Sequence, residues 1–152
     1  MENEKHGKYL GVDYGDVRTG LAVSDITGFL AGGIGQISPG GMKNTALAVA
    51  ARAKELGAVR IIVGLPKNMD GSEGFRAEAV HAFVALLSAE TEIPVALMDE
   101  RLSTCEAHRY LQSTNTGGKK RKAVVDTLSA QIILQDYLDR EKAALARENS
   151  TK

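Results

Sequence analysis

The chain has 152 residues, 43% of them apolar and 25% charged, which is enough for one buried core and too short for two. Nineteen Lys and Arg balance nineteen Asp and Glu. That excludes a uniformly basic surface that gathers nucleic acid by charge alone, so an anionic partner must be met by local patterning.

No run reaches the roughly 18 apolar residues of a membrane span, and Met1-Glu2-Asn3-Glu4-Lys5-His6 carries no hydrophobic signal core. Cys105 is the single cysteine, so neither a disulfide framework nor a thiolate zinc site is expected, and a cytoplasmic location follows. His6, His81 and His108 lie far apart without metal-ligand spacing and read as surface or satisfied core histidines.

Three short strand-like runs open the chain: Lys8 to Tyr14, Thr19 to Ser24, and the glycine-rich Phe29 to Ile37. Short turns separate them, which predicts an antiparallel meander. After Pro39-Gly40-Gly41, the residues Leu47, Val49, Ala50, Ala53 and Leu56 recur at helical spacing, and Gly57 stands where a helix C-terminal glycine belongs. Val59 to Val63 is a continuous apolar run, the pattern of a strand covered on both faces, and it stops at Gly64-Leu65-Pro66. Ser72, Glu73 and Glu78 predict the start of a second helix, with Phe75, Ala79, Val80, Phe83, Val84 and Leu87 as its apolar stripe.

Pro94 to Met98 is the next strand, Thr104 to Gln112 a short amphipathic helix, Ser113 to Gly118 a polar loop, and Val124 to Leu138 a long apolar helix. Residues 1–140 form one expected domain, and 141–152, where charge alternates with alanine, are an expected frayed tail. Two right-handed crossovers following a meander predict an α/β fold: a mixed five-stranded sheet, antiparallel meander plus two parallel strands, with helices on both faces.

Acidic residues occur where that fold makes acid costly. Asp13 ends the first strand between Gly11 and Gly15, glycines that leave room for another backbone, an ion or a phosphate; alternatively its carboxylate caps the turn. Asp99 and Glu100 end the last strand and point to opposite faces, so at most one joins a shared site; both could equally be solvated strand-end acids. Asp126 shares a helix face with Ala130, Ile133 and Tyr137. A carboxylate in that company is paired, for which Lys119 to Lys122 are candidates, or bound to metal.

Ligands of open α/β sheets collect at the carboxyl ends of the strands. If the first and last long strands are neighbours and the final helix crosses them, Asp13, Glu100 and Asp126 converge. Clustered carboxylates repel one another unless a divalent cation intervenes, and all-oxygen ligands select Mg²⁺ or Mn²⁺. Two such ions can activate water and stabilise the leaving oxygen of a phosphodiester.

From Ala107 to Val125 there is no acid, while Arg109, Lys119, Lys120, Arg121 and Lys122 supply five positive charges. This basic stretch fits phosphate contacts or a merely solvated loop. Arg18 after Gly15, Lys67 after Gly64-Leu65-Pro66, and Arg101 beside the strand-end acids are further candidate nucleic-acid contacts.

Several motifs in order resemble one family: Asp13-Tyr14-Gly15-x-x-Arg18-x-Gly20-x-Ala22-Val23-Ser24-Asp25, Gly64-Leu65-Pro66, Asp99-Glu100-Arg101-Leu102-Ser103-Thr104, and Asp126-x-x-x-Ala130-x-x-Ile133-Leu134-x-x-Tyr137-Leu138. Over about residues 8 to 140 the chain is similar to the YqgF/RuvX family of Holliday junction resolvase-like proteins and pre-16S rRNA nucleases. The resemblance implies an RNase H-like fold and a nuclease dependent on Mg²⁺ or Mn²⁺, with two ions and the acidic triad Asp13, Glu100 and Asp126. It implies maturation of the 5′ end of 16S rRNA, with ribosomal particles as possible partners.

The alternative is resolution of four-way DNA junctions, which would require a homodimer. The resolvase relative carries a further metal ligand one helical turn past its last aspartate, where this chain has Ser129. A sugar-kinase-type nucleotide site, given the Gly-x-Asp-x-Gly turn, and a non-catalytic nucleic-acid-binding module are the remaining classes. The chain has length for only one of the two lobes that the kinase type closes over ATP.

Overall fold

The computed structural model describes residues 7–100 and a helix over residues 118–150, with side chains described for residues 127–148 of that helix. Strands β1 (Lys8–Asp13), β2 (Thr19–Ser24) and β3 (Ala31–Ile37) are followed by helix α1 (Met42–Leu56), β4 (Ala58–Leu65), helix α2 (Phe75–Glu90), β5 (Val95–Asp99) and helix α3 (Gly118–Ser150). The predicted short helix Thr104 to Gln112 and the loop that follows it lie outside the described residues, as do Arg101 and Cys105.

The five strands form one sheet in the order β3-β2-β1-β4-β5. β1 pairs antiparallel with β2, and β2 with β3, which makes the meander. β1 pairs in parallel with β4, and β4 with β5, each reached through a crossover helix.

Alternation along the strands divides the core in two. Leu10 and Val12 of β1, Leu21 of β2, and Ile61 and Val63 of β4 pack with Val49 and Ala53 of α1 and with Val80, Phe83 and Leu87 of α2. On the other face Ala22, Ile62 and Met98 pack against Ala130, Ile133, Leu134 and Leu138 of α3.

Two boundaries differ from the sequence pattern, each because a side chain claims backbone donors. β3 begins at Ala31 rather than Phe29. The Asp25 carboxylate accepts the N–H groups of Phe29 (2.9 Å) and Leu30 (3.4 Å) and the Thr27 hydroxyl (2.8 Å), which folds this stretch into a turn. Similarly, α2 begins at Phe75 after Gly74. Ser72 donates its hydroxyl and its N–H to Asp70 Oδ1, at 2.6 and 2.9 Å, and so closes the preceding loop instead of capping the helix.

Helix α1 ends as its glycine predicts: Gly57 adopts φ 68° and its N–H reaches the carbonyls of Ala53 and Lys54. The α3 backbone stays helical past Glu141 to Ser150, through the segment expected to fray. Ala, Glu, Lys and Arg in that stretch are all strong helix formers.

Candidate functional site

The first and last strands are not neighbours, because β4 lies between them. Convergence of their acids therefore depends on what β4 carries at its carboxyl end, and the residue there is Gly64. The β1–β4 register pairs Val12 with Val63, so Asp13 stands one step further on, level with Gly64. On its other side Gly64 pairs with Met98 of β5, and Leu65 with Asp99.

Glu100 continues past β5 by donating its N–H to the Leu65 carbonyl (3.2 Å). Its side chain is only 3% exposed and folds back over Gly64, where a Cβ would lie 2.6 Å from Glu100 Oε2 and 2.5 Å from Ile133 Cδ1. The missing side chain of Gly64 is thus the space that the Glu100 carboxylate occupies on the α3 face of the sheet.

Asp13 has the same parity as Tyr9 and Gly11, the β1 residues that meet α3. Tyr9 packs edge-on against Tyr137, with ring centroids 6.1 Å apart. At Gly11 a Cβ would lie 2.7 Å from Leu134 Cβ and 3.1 Å from the Ala130 carbonyl. Moving back along α3 from Tyr137 to Ala130 therefore moves forward along β1 from Tyr9 to Gly11.

Further back along the helix, Thr127 lies over β3, where a Cβ at Gly33 would be 2.3 Å from Thr127 Cγ2, so α3 crosses the sheet obliquely from β1 towards β3. The side chains of Asp126, Lys119, Lys120, Arg121 and Lys122 lie outside those described. Among the described residues no group of three His, Cys, Asp or Glu side chains forms a metal cluster; Asp13 and Glu100 share the α3 side of this corner, and Asp99, of opposite parity to Met98, faces the other side.

The glycines flanking Asp13 are occupied by the chain itself. Gly11 admits α3, and Gly15 admits the turn to β2, where a Cβ would lie 2.3 Å from the Arg18 carbonyl. Arg18 and Lys67 are both half-buried at the same carboxyl-end rim, on the β1–β2 turn and the loop after β4. Ser129, three residues past Asp126, is 1% exposed. His81 is bound to Glu73 (2.8 Å) on the outside of α2, as expected of a surface histidine.

One feature near this corner escapes the sequence pattern. Phe75 fits the apolar stripe of α2 but is 80% exposed, while Phe83, two turns on, is fully buried. Tyr14, directly after Asp13, stacks on Phe83 with centroids 4.4 Å apart and so ties the β1–β2 turn to α2. Burial, reinforced by the nearby Asp16 carboxylate, pushes the Tyr14 hydroxyl above its ordinary pKa. Helical periodicity alone would place Phe75 inside; the late start of α2 at Gly74 puts it on the helix's first turn instead.

The architecture is RNase H-like and shared with junction resolvases. Thermus thermophilus RuvC in complex with a Holliday junction substrate superposes with a TM-score of 0.54 at 15% identity, covering 91% of this chain and 97% of that one. Fowlpox virus resolvase in its junction complex gives 0.55 at 12% identity, covering 88% and 97%.

Sequence similarity narrows the group. Residues 7–140 match the RuvX family, described as Holliday junction resolvase, and the chain belongs to that family. It is 45% identical over 133 residues to a Clostridioides difficile (strain 630) protein named "Putative pre-16S rRNA nuclease", covering 88% of this chain and 94% of the relative. A protein of the same name from Ligilactobacillus salivarius (strain UCC118) is 40% identical over 145 residues, covering 93% and 98%.

Proposed function

We propose that the protein is a divalent-metal-dependent endonuclease that hydrolyses phosphodiester bonds in the 5′-end processing of pre-16S rRNA. The observation that carries this reading is the buried Glu100 carboxylate lying over Gly64 beside the Asp13 end of β1. Two acids brought to one corner of the sheet, one of them buried, form an oxygen-rich site of the kind a shared divalent cation favours. The names of the 40 to 45% identical relatives supply the substrate class.

Asp13, Glu100 and Asp126 are the residues that would hold the metal. The donor set is all oxygen and so fits Mg²⁺ or Mn²⁺, and the Gly64 notch seats the Glu100 carboxylate that would reach the ion. Two ions bound there would polarise the phosphodiester and lower the pKa of an attacking water.

The chain's own residues do the rest. The absence of a side chain at Gly64 seats the Glu100 carboxylate, the Leu65 carbonyl anchors its backbone, and the packing of Gly11 against α3 sets the helix at its height over β1. Arg18, Lys67, Arg101 and the run Lys119, Lys120, Arg121 and Lys122 are the proposed phosphate contacts. One domain, residues 1–140, acting in the cytoplasm on ribosomal precursors completes the reading. Among the described residues no helix is long and apolar enough to cross a membrane.

Resolution of four-way DNA junctions by a homodimer is the second reading, favoured by the family's own description. The two are separated by incubating the protein with a pre-16S 5′ leader and with a four-way junction in Mg²⁺ and in Mn²⁺. Cleavage of the leader without paired symmetric nicks in the junction supports the first reading; paired nicks with an intact leader support the second.

A further inference from the structure

On the α2 side of the same rim, next to Asp13, lies a recess of about 150 Å³ lined by Tyr14, Gly15, Asp16, Pro66, Phe75 and Arg76, among others. Cavities of about this volume admit a single six-membered ring. Its floor is rigid, because Tyr14 is stacked on Phe83 and Gly15 is pressed against the Arg18 carbonyl. The loop on its far side is also held: Asn68 donates its N–H to the Ser72 carbonyl (2.9 Å), and Gly71 donates to the Asn68 carbonyl (2.9 Å).

One of the lining residues, Phe75, is a large apolar side chain left 80% exposed. An aromatic ring held in solvent at the lip of a concavity is available as a binding face. The polar groups there are of both signs. Asp16 and Arg76 line the recess, and Lys67 follows Pro66. A plain hydrocarbon ligand would leave these groups unused, and a simple anion would be repelled by Asp16.

A heterocycle with ring donors and acceptors, attached to a phosphate, matches all three features. It needs a flat apolar surface to stack on, a carboxylate and a guanidinium to meet its edge, and cations for its backbone. We propose that this recess is a base-binding subsite: it takes one unpaired nucleobase adjoining the scissile phosphate, with Phe75 as its stacking face.

The proposal rests on the nuclease reading for the position of that phosphate. Asp13 and Tyr14 are adjacent residues whose side chains alternate to opposite faces of the sheet. A strand crossing the rim with its phosphate at Asp13 and Glu100 therefore presents its neighbouring base on the Tyr14 side. A base held in a recess of this kind has left its helical stack, so the subsite selects single-stranded or unpaired segments over continuous duplex.

The chain contains no tryptophan, so Phe75→Trp introduces a lone indole reporter at the stacking face. Titration with single-stranded oligouridylate, with Ca²⁺ replacing Mg²⁺ to read binding without turnover, should quench its emission saturably. A blunt RNA duplex of the same length should not. Phe75→Ala and Phe75→Leu should weaken single-strand binding about 10- to 100-fold, the range for loss of one base–aromatic stack, while Phe75→Tyr retains it. Because Phe75 is 80% exposed, the thermal midpoint should not move in any of these variants.

Equal affinity of the wild type and Phe75→Ala for the single strand, equal quenching by duplex, or no saturable quenching overturns the subsite. Asp13→Asn separates the two claims. If it no longer cleaves the leader while Phe75→Ala binds normally, the subsite fails and the nuclease reading stands. If Asp13→Asn cleaves like the wild type while Phe75→Ala loses binding, the carboxylate site fails and with it the place given to the scissile phosphate, while base binding in the recess stands.

Discussion

Replacing Gly64 with alanine tests whether the notch in β4 exists for the Glu100 carboxylate. The new methyl would sit 2.5 Å from Ile133 Cδ1, 2.6 Å from Glu100 Oε2 and 3.2 Å from Glu100 Cδ, all inside van der Waals contact. Restoring contact requires each neighbour to retreat by about 1 Å. Both are enclosed, Ile133 at 0% and Glu100 at 3% exposure, so neither can move freely into solvent.

Overpacking of this kind costs about 1–3 kcal/mol. In a chain of this size it lowers the thermal midpoint by roughly 2–4 °C per kcal/mol. A shift of about 1 Å in a reacting group can cost on the order of 100-fold in rate, and cleavage should fall by that amount.

The second substitution is diagnostic. Ile133→Val removes the Cδ1 atom and relieves one clash but leaves the clash with Glu100. The double variant should therefore regain much of its stability, followed by circular dichroism melts, and none of its cleavage rate, followed by initial rates on a labelled leader. Recovery of both together, or a Gly64→Ala protein with normal rates, would refute the reasoning.

Three further outcomes follow from the same packing. Gly11→Ala places a methyl 2.7 Å from Leu134 Cβ and 3.1 Å from the Ala130 carbonyl, neither of which is a flexible chain end. α3 must lift, and denaturant titration should show a loss of about 1–3 kcal/mol. Tyr137→Phe removes the acceptor of the Arg60 guanidinium and should cost about 1 kcal/mol. Burial holds the Tyr137 hydroxyl above its ordinary pKa, so it stays protonated and this loss should be constant across neutral pH.

Asp25 is held below the ordinary carboxylate range by the Thr27 hydroxyl and by the N–H of Phe29. Its contribution to stability is therefore present above the unfolded pKa of about 3.9 and is lost as the pH falls through the lower folded value. The gap in thermal midpoint between the wild type and Asp25→Ala should be open at neutral pH and close in strong acid. A gap that persists there would contradict the turn's dependence on the ionised carboxylate.

The strands, the meander and the two crossover helices are legible in the sequence because they are written in local periodicity: the apolar run Val59 to Val63, the helical spacing of Leu47 to Leu56, and Gly57 past its end. Strand order is not local. That β4 separates β1 from β5, and that Gly64 is consequently the residue between the two acids, emerges only from the sheet.

Two side chains misled the pattern for a different reason. Asp25 and Asp70 withdraw backbone and hydroxyl donors into turns. They delay β3 and α2 by two and three residues from Phe29 and Ser72 and turn Phe75 from an apparent core residue into an exposed one. A Gly-Phe pair directly after a Ser-Glu cap signal was the available clue. Glu100 stands out in the sequence only as one of two strand-end acids; that it is the buried one, and that Gly64 receives its carboxylate, comes from the packing, while the Asp126 side chain lies outside those described.

The most direct test is the cleavage rate of a pre-16S 5′ leader by the wild type, Asp13→Asn and Glu100→Gln across Mg²⁺ and Mn²⁺, with circular dichroism confirming the fold of each. The account predicts metal-dependent cleavage by the wild type and none by either variant at an unchanged fold. Equal cleavage by the wild type and Asp13→Asn in both metals would contradict it.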